Sequence, residues 1–420
     1  MHKRFTPRIL AAALAALASG GAWASGFALQ NQTGSGNGNA FAGAAAAAED
    51  AGTIFFNPAG MMNLSPGHHL SVAGTILVRS IEFTNKGTTV PTFTGDNGGD
   101  AGGVALIPAG YFSYALSPNL RLGLGISPTF GNVTEYDQSF IGRFSGYYAD
   151  LKQININPSV AWKVNETVSL GFGLNWAKNE VEFRLKTPIG VATQTTAILE
   201  GDDDAWGWNA GVMFNLSQNT RLGLAYRSKI KFDLEGNQIV VGVPTQSFAI
   251  RSRLETPDSF SIAVSHQLNE RTQLLADYTW TGWSSVKSLP VYHASSGVQV
   301  NSLSYNFDDT YRVGFGVNYQ WNDAWKLRFG IAYDKTPVQS DADRTMTLPD
   351  ADRTWLSFGA KWKTSKQSSW DFGYTHIFFK DVSTTRQVTY TGAQAPFSHT
   401  VRGSFETTAD LLSVQYNHGF

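Results

Sequence analysis

About fourteen strand-like segments follow one another along this chain, and they constrain its fold more than any other feature. In one of them Val313, Phe315 and Val317 fall on one face, while Gly314 and Gly316 fall on the other. Because side chains alternate across a strand, such a segment can meet lipid on one side and the inside of a barrel on the other. The predicted strands are residues 69–83, 104–116, 120–130, 150–164, 167–186, 205–216, 220–235, 258–268, 271–283, 310–321, 325–335, 353–363, 368–379 and 409–420.

The connections between these segments alternate in length. Short polar turns, such as residues 117–119 and 165–166, alternate with long connections, such as residues 84–103 and 284–309. Bacterial outer-membrane barrels have short periplasmic turns, long outer loops and an even number of strands. A β-sandwich would have less regular loop lengths. The pattern therefore predicts an all-β protein, a transmembrane antiparallel β-barrel of about fourteen strands with both termini on the periplasmic side.

The first 24 residues have the pattern of a secretory signal peptide. Lys3, Arg4 and Arg8 precede an apolar run at residues 9–18, and residues 22–24 give a small-x-small cleavage pattern. The run is too short to span a bilayer as a helix, so we expect residues 1–24 to be removed during export. The chain has no cysteine, which excludes a lipoprotein anchor, a disulfide framework and a cysteine-ligated metal.

Composition favours a membrane barrel over a soluble domain. Charged residues make up 15% of the chain, whereas soluble domains have about a quarter. After the signal peptide the sequence has no apolar run of transmembrane-helix length. The net charge of −1 gives no reason to expect nucleic acid as a partner. We expect a multi-pass protein of the cell outer membrane, with outer-membrane lipid and lipopolysaccharide as its neighbours.

Residues 25–66 lack strand alternation and predict a separate N-terminal element. Small residues and the alanine run at 44–48 favour compact, irregular structure with a short helix. Large apolar side chains such as Phe27, Leu29 and Phe41 argue against a solvated tail. A wide barrel leaks unless its lumen is filled. We therefore expect residues 25–66 to form a hatch inside a barrel made by residues 67–420.

Several distinctive motifs are spread over nearly the whole mature chain. They are Ser25-Gly26-Phe27, the Gly-rich stretch through Gly43, Glu49-Asp50-Ala51-Gly52, Asn57-Pro58-Ala59, Trp206-Gly207-Trp208-Asn209-Ala210-Gly211, Tyr226-Arg227-Ser228, Asp309-Thr310-Tyr311-Arg312, Pro349-Asp350-Ala351-Asp352-Arg353 and the final Phe420. Together they resemble the long-chain fatty-acid transporters of the Gram-negative outer membrane, the FadL family, which includes aromatic-hydrocarbon uptake channels. The resemblance implies a fourteen-stranded barrel plugged by an N-terminal hatch, which agrees with the strand count.

The third predicted strand contains Pro128, and Gly131 follows it closely. Pro128 cannot donate a ladder hydrogen bond and Gly131 permits a bend, so strand pairing should fail locally. From the residues alone, an ordinary strand end is the simpler explanation. The family resemblance implies instead an inward kink that opens a lateral gap toward the membrane at Pro128 and Gly131. It also implies that the turn Asn57-Pro58-Ala59 anchors the hatch.

The resemblance implies positions for ligand contacts as well. The mature N-terminus of family members reaches into an apolar pocket, which makes Gly26, Phe27 and Leu29 candidates by position. A carboxylate headgroup needs a cation, and Arg184 and Lys287 lie near the outer ends of their strands, where family members place basic residues. A structural charge network is the alternative role for such a basic residue.

No constellation in the sequence predicts catalysis, a cofactor or a metal site. Residues 202–204 are all Asp but lack the ligand spacing of a calcium loop, and an acidic loop near lipopolysaccharide explains them better. His68 and His69 are adjacent, so on a strand they point to opposite faces. The 8 histidines show no local pattern of nucleophile and base, and no phosphate-binding loop is present.

These features predict an outer-membrane uptake channel for long-chain fatty acids or related hydrophobic compounds. Passage would be passive diffusion, with hatch rearrangement and lateral exit into the membrane, and we expect a monomer. The alternatives are an aromatic-hydrocarbon uptake channel, a barrel acting mainly as an adhesin or phage receptor through its long loops, and an enzyme at the barrel rim. The sequence does not identify the ligand.

Overall fold

The computed structural model describes residues 26–189, 192–390 and 397–420. The predicted signal peptide, residues 1–24, lies outside them. Three one-turn helices come first in the described part, namely α1 (Gly34–Asn37), α2 (Ala44–Ala47) and α3 (Thr53–Phe56), and a 3₁₀ helix follows at Pro58–Asn63. No helix in the three described stretches is both long enough and apolar enough to cross a membrane.

Nineteen β-strands make up most of the described chain. They are β1 (His69–Asn85), β2 (Gly103–Ser117), β3 (Leu120–Glu135), β4 (Tyr148–Lys163), β5 (Val168–Pro188), β6 (Gln194–Asn215), β7 (Thr220–Arg227), β8 (Ile230–Val240), β9 (Phe248–Thr256), β10 (Ser259–Gln267), β11 (Thr272–Thr281), β12 (Ser288–His293), β13 (Gln299–Ser304), β14 (Thr310–Gln320), β15 (Trp325–Asp334), β16 (Arg353–Lys363), β17 (Ser368–Phe379), β18 (Val382–Tyr390) and β19 (Phe397–Gly419). Short 3₁₀ turns lie at Arg143–Ser145, Pro244–Gln246 and Trp283–Ser285.

Within the described residues, fourteen of these strands form a closed antiparallel barrel, which confirms the predicted fold class. Each of these strands pairs with the next one around the wall, and β1 closes the ring by pairing with both β2 and β19. The β1–β19 ladder is long, from His69↔Gly419 to Asn85↔Gly403. The strands of the ring are β1 to β7, β10, β11, β14 to β17 and β19.

The two faces of the wall have the reverse of a soluble protein's polarity. On β1, Val72, Ile76 and Val78 are exposed, whereas Ser71 and Thr75 are buried. The same holds on the other strands of the ring, whose outer faces carry exposed Leu, Val, Phe and Trp side chains. An apolar outer face with polar groups inside is the arrangement of a barrel surrounded by lipid.

The other five strands extend the wall above the ring, at the end with the long connections. The hairpin β8–β9 joins the wall because β8 pairs with residues 197–202 of β6. The hairpin β12–β13 pairs in turn with β9, and β18 pairs with the outer half of β19. The sequence pattern predicts long connections at residues 284–309 and between the last two predicted strands, 380–408, and a loop at Asp202–Asp204. These predictions were wrong, because β12, β13, β18 and parts of β6 and β19 occupy these segments. Backbone pairing holds these segments as strands although their side chains do not alternate in polarity.

Residues 26–66, called the N-terminal segment below, pack against the inner face of the wall. The approach is close at several glycines of the barrel strands. A Cβ added to Gly171 would overlap the backbone of Ala59, and one added to Gly330 would overlap Asn39. Glycine is required at these points because any side chain would displace the N-terminal segment.

Exposed tryptophan side chains lie at the ends of several barrel strands. Trp321 is exposed, and the exposed rings of Trp325 and Trp362 stack with centroids 5.9 Å apart. Such rings form the interfacial girdle of a membrane protein. Its place next to a predicted strand end would put Trp283 in this girdle as well, but Trp283 is fully buried. It lies in the chain just after β11, where the backbone turns inward as a 3₁₀ turn.

Candidate functional site

The hydrogen-bonded wall is interrupted between β2 and β3. These strands pair from Ser117↔Leu120 to Gly110↔Ile126. Beyond that point β3 continues to pair with β4, with a bulge between Pro128 and Phe130. The described ladder between β2 and β3 therefore ends just before Pro128, and the predicted Pro128 and Gly131 lie on the part of β3 that has separated from β2.

The N-terminal segment pairs with the edge of β3 that β2 has left. Leu29 N donates to Thr129 O at 2.9 Å, and Gly131 N donates to Phe27 O at 2.9 Å. The side chain of Gln32 adds a bond from its Nε2 to Pro128 O at 2.7 Å. An unpaired strand edge is costly when it is buried, so these bonds account for the stable separation of β3 from β2.

Phe27 lies in an apolar cluster, defined here by Phe27, Phe130, Trp283 and Phe307 with their buried aliphatic neighbours. The ring centroid of Phe27 is 5.8 Å from that of Phe130. Trp283 also packs edge-on against Phe307 at 5.7 Å. Gly26 has φ +67° and contacts Trp283 so closely that a Cβ would overlap the indole. The beginning of the described chain is therefore inserted into an aromatic pocket.

A buried ionic group lies directly beside this pocket. Asp350, in the connection between β15 and β16, accepts a hydrogen bond from Gly26 N at 3.3 Å and from Thr336 Oγ1 at 2.6 Å. Its other oxygen is 2.5 Å from Arg353 Nη2. Burial raises the pKa of the Asp350 carboxyl above its usual value, although Arg353 acts in the opposite direction.

The two predicted cations have different surroundings. Arg184 is half-buried, with its Nε 2.5 Å from Glu182 and its guanidinium over the ring of Tyr148 at 4.3 Å. Lys287 is exposed, and its Nζ donates to Phe307 O at 2.6 Å, at the margin of the apolar cluster. The family resemblance implied both as candidates for binding a carboxylate, and among the described residues Lys287 is the one of the two with a hydrogen bond to a member of the apolar cluster.

A second space lies deeper in the barrel, between the N-terminal segment and β6, β7, β10, β11 and β14. It has an empty volume of about 900 Å³, part of which is continuous with solvent. Its lining includes the apolar Leu29, Phe55 and Phe130 together with Asn209 and Arg227. We call it the Arg227 cavity. Arg227 belongs to the motif Tyr226-Arg227-Ser228, but nothing local in the sequence indicates which face of β7 it occupies.

The turn at Asn57 joins the N-terminal segment to the wall. Asn57 is fully buried, and its Nδ2 donates to Ala45 O at 2.8 Å and to Val212 O of β6 at 3.1 Å. Its Oδ1 accepts from Ala59 N at 3.1 Å, which caps the 3₁₀ helix that begins at Pro58. One side chain thus stabilises the turn and contacts the barrel.

A buried ion-pair network makes a second connection. Arg328 of β15 contacts Glu49 of the N-terminal segment at 2.6 Å and Asp371 of β17 at 2.8 Å. The other oxygen of Glu49 accepts from Asn318 Nδ2 at 2.7 Å. Buried charges are tolerated when they are paired in this way.

Among the residues that the structure describes, no group of three or more His, Asp or Glu side chains is arranged to hold a metal ion. The features brought together are instead an apolar pocket, a break in the wall and a chain segment that contacts both. These are the requirements of a binding site for a hydrophobic molecule.

Residues 15–420 match the family model described as outer membrane protein transport protein (OMPP1/FadL/TodX). The chain is 31% identical to outer membrane protein P1 of Haemophilus influenzae, with 100% of both chains covered. It is 28% identical to a long-chain fatty acid transport protein of Salmonella typhi, with 99% of each covered.

The fold has a close structural counterpart. A crystal structure of a Pseudomonas aeruginosa FadL homologue superposes with a TM-score of 0.87, covering 94% of this chain and 100% of the other, at 22% sequence identity. The agreement extends over nearly the whole molecule and supports the closed barrel as the correct architecture.

Proposed function

Since the chain belongs to the OMPP1/FadL/TodX family of outer-membrane transport proteins, we propose that it takes up long-chain fatty acids or related hydrophobic compounds. Passage is passive diffusion through the barrel, without an enzymatic step. A molecule enters from the outside, binds in the apolar cluster and leaves sideways into the membrane between β2 and β3. The substrate class follows the relative named as a long-chain fatty acid transport protein.

One observation carries this proposal. The N-terminal segment is hydrogen-bonded to the edge of β3 where β2 has separated, and its Phe27 is a member of the apolar cluster. A ligand that displaces Phe27 therefore acts on the same few residues that fill the break in the wall. Pro128 and Gly131 are the proposed margin of the lateral opening, and Gly26, Phe27 and Leu29 are the proposed ligand contacts.

The remaining elements have supporting roles in the proposal. Residues 25–66 act as a hatch, with the turn of Asn57, Pro58 and Ala59 as its anchor on β6. Its contacts with inward-facing glycines support this assignment. The barrel of residues 67–420 works as a monomer, with outer-membrane lipid and lipopolysaccharide around it.

Lys287 is the better supported of the two predicted cations for binding a carboxylate at the outer pocket. Its Nζ contacts Phe307 O, whereas Arg184 is paired with Glu182. Loss of fatty-acid uptake after Lys287→Met, with toluene uptake unchanged, supports a carboxylate ligand. If instead uptake of a neutral aromatic compound is the strong activity and Lys287 is dispensable, the aromatic-hydrocarbon alternative is correct.

The route is tested by locking the N-terminal segment to β3. Ala28 and Phe130 are paired across an antiparallel bridge, which places Cα atoms at a distance that a disulfide can span. The chain contains no cysteine, so the double variant Ala28→Cys/Phe130→Cys offers a single crosslink. In a strain lacking the gene, oxidation of this variant should abolish growth on oleate as sole carbon source. Reduction should restore growth to the level of the single variant Phe130→Cys, which also lacks the aromatic ring.

The matched control is a crosslink within the intact wall. Thr75 of β1 and Ser413 of β19 are paired, with their hydroxyl oxygens 2.6 Å apart. Thr75→Cys/Ser413→Cys should support uptake in both redox states. Growth on acetate checks general fitness. Undiminished growth on oleate with the oxidised Ala28–Phe130 crosslink would contradict the proposed route, and wild-type growth without the gene would contradict the function.

A further inference from the structure

The Arg227 cavity contains two polar groups whose hydrogen-bonding capacity the protein does not fill. Arg227 is on β7 with its side chain directed inward, where Nη2 donates to Phe55 O at 2.9 Å and Nη1 donates to Asn175 Oδ1 at 2.7 Å. Asn209 of β6 is the register partner of Arg227. Both residues line the cavity.

The amide orientations of this network follow from Arg227. A guanidinium only donates hydrogen bonds, so the atom of Asn175 that it meets is the oxygen. The Nδ2 of Asn175 then faces Asn209 Oδ1 at 3.0 Å. Asn157 Nδ2 donates to the same oxygen at 2.9 Å. The orientation of Asn209 is thereby fixed, with its Nδ2 turned away from these neighbours.

Asn209 Nδ2 is buried and has no acceptor among the described residues. Buried amide donors are almost always paired, so an orphan of this kind calls for a reason. It lies on the lining of a cavity, beside a cation. A ligand oxygen that reached both groups would satisfy them together.

The charge of Arg227 also lacks a counterpart. Arg312, on the same cavity, is 2.9 Å from Asp277, and Arg328 contacts both Glu49 and Asp371. No carboxylate of the described chain lies within ion-pair distance of Arg227. A buried arginine that is left unpaired is a suitable partner for an anionic ligand, because a carboxylate accepts two parallel bonds from its planar fork.

We propose that Arg227 and Asn209 bind the carboxylate headgroup of a long-chain acid inside the barrel. The acyl chain lies along the apolar part of the same cavity, against Phe55, Leu29 and Phe130. This site rests on the proposed uptake function and specifies its substrate class, an anionic amphiphile rather than a neutral hydrocarbon. This site lies deeper in the barrel than the apolar cluster. Phe130 belongs to both, and the ligand passes along it from the cluster to the headgroup site.

Headgroup recognition is measured with a matched pair of probes on the purified full-length protein in detergent. Oleate and oleyl alcohol have the same tail and differ in charge. Replacement of Arg227 by Met should weaken oleate binding about 10- to 100-fold, the effect of losing hydrogen bonds to a charged group. Binding of oleyl alcohol should not change. Asn209→Leu should weaken oleate binding in the same selective way but by less.

Arg253→Met is the matched control. Arg253 lies on β9 and pairs with Asp233 at the exposed surface, so its loss should leave both affinities unchanged. Heat-modifiable migration in gels checks that each variant is a folded barrel. If Arg227→Met does not fold, Asn209→Leu and Arg227→Lys carry the test, and each should weaken oleate binding while leaving oleyl alcohol binding unchanged.

Unchanged oleate affinity in folded Arg227 and Asn209 variants would overturn the headgroup site, as would an equal loss for oleate and oleyl alcohol. Neither result affects the proposed uptake function, which would fail if the wild-type protein bound neither compound or if the strain lacking the gene grew normally on oleate. The two proposals are therefore separated by one set of measurements.

Discussion

The ring of Phe27 packs edge-on against the indole of Trp283, with centroids 4.8 Å apart and the planes at 77°. One residue belongs to the N-terminal segment, and the other follows β11, which is six strands from β3 around the ring. This contact holds the beginning of the described chain inside the apolar cluster.

We expect Phe27→Ala to reduce oleate uptake about tenfold. Phe27 is a proposed ligand contact, and the loss of about 1.4 kcal/mol of apolar contact with the bound tail corresponds to about tenfold in binding. Initial uptake of labelled oleate by whole cells measures the effect. Phe260→Ala, which removes an exposed ring from the outer face of β10, should leave uptake unchanged. Equal rates for both variants would show that the cluster is not on the route.

Gly171→Ala should make the barrel leak. Its added Cβ would overlap the backbone of Ala59, so the turn at Asn57 must move away from the wall. Conductance of the purified protein in planar bilayers should rise relative to wild type. The control is Gly110→Ala, because a Cβ there has no heavy atom within 4 Å. Identical conductance of the two variants would argue against residues 25–66 as the closure of the lumen.

Glu49→Gln should destabilise the folded protein. The change leaves Arg328 with Asp371 as its remaining acid and removes a buried ion pair of 2.6 Å. Loss of one partner of a buried pair costs about 3–5 kcal/mol, reduced here by the second acid. The urea midpoint in detergent micelles measures it.

Glu166→Gln is the control for Glu49→Gln. It also removes one acid of an ion pair, but the Lys163–Glu166 pair is exposed. An exposed pair contributes about 0–1 kcal/mol, so its urea midpoint should stay close to that of wild type. A Glu49→Gln midpoint no lower than that of Glu166→Gln would mean that the connection between wall and N-terminal segment carries little energy.

Pro128→Ala should reduce uptake while the barrel remains folded. Alanine restores a backbone donor and frees φ, which allows β3 to straighten toward β2. Pro158→Ala is the control, because Pro158 is exposed on β4 within a regular part of the ladder opposite Leu124. Complementation on oleate measures both variants. Full complementation by Pro128→Ala would show that uptake does not depend on the bulge at Pro128.

The positions of the fourteen barrel strands could be predicted from sequence because their outer faces must be apolar. The upper wall could not be predicted in this way. Residues 194–204 of β6 include Glu200 and Asp202 to Asp204, which face solvent above the lipid on either side of the strand. A strand that does not contact lipid need not alternate apolar and polar side chains. Only the pairing with β5 and β8 defines this part of β6 as a strand.

The candidate site was predictable in part. Phe27 and Pro128 follow from a family resemblance together with elementary backbone chemistry. The buried position of Trp283 was not predictable, because position near a strand end does not distinguish an outer ring from an inner one. The role proposed for Arg227 and Asn209 depends on their hydrogen bonds with Asn175 and Asn157, which lie on other strands. No local pattern in the sequence predicts contacts between strands of this kind.

The two backbone hydrogen bonds between the N-terminal segment and β3 set a threshold on the proposed route. Breaking them costs about 1–3 kcal/mol in total, whereas burial of each methylene group returns about 0.8 kcal/mol. A molecule with a short apolar part cannot recover the cost, and one with more than about four methylene groups can. The barrel would then discriminate among solutes by the length of their apolar part without a source of energy. Breaking the two hydrogen bonds would cost less free energy than burial of a long tail provides.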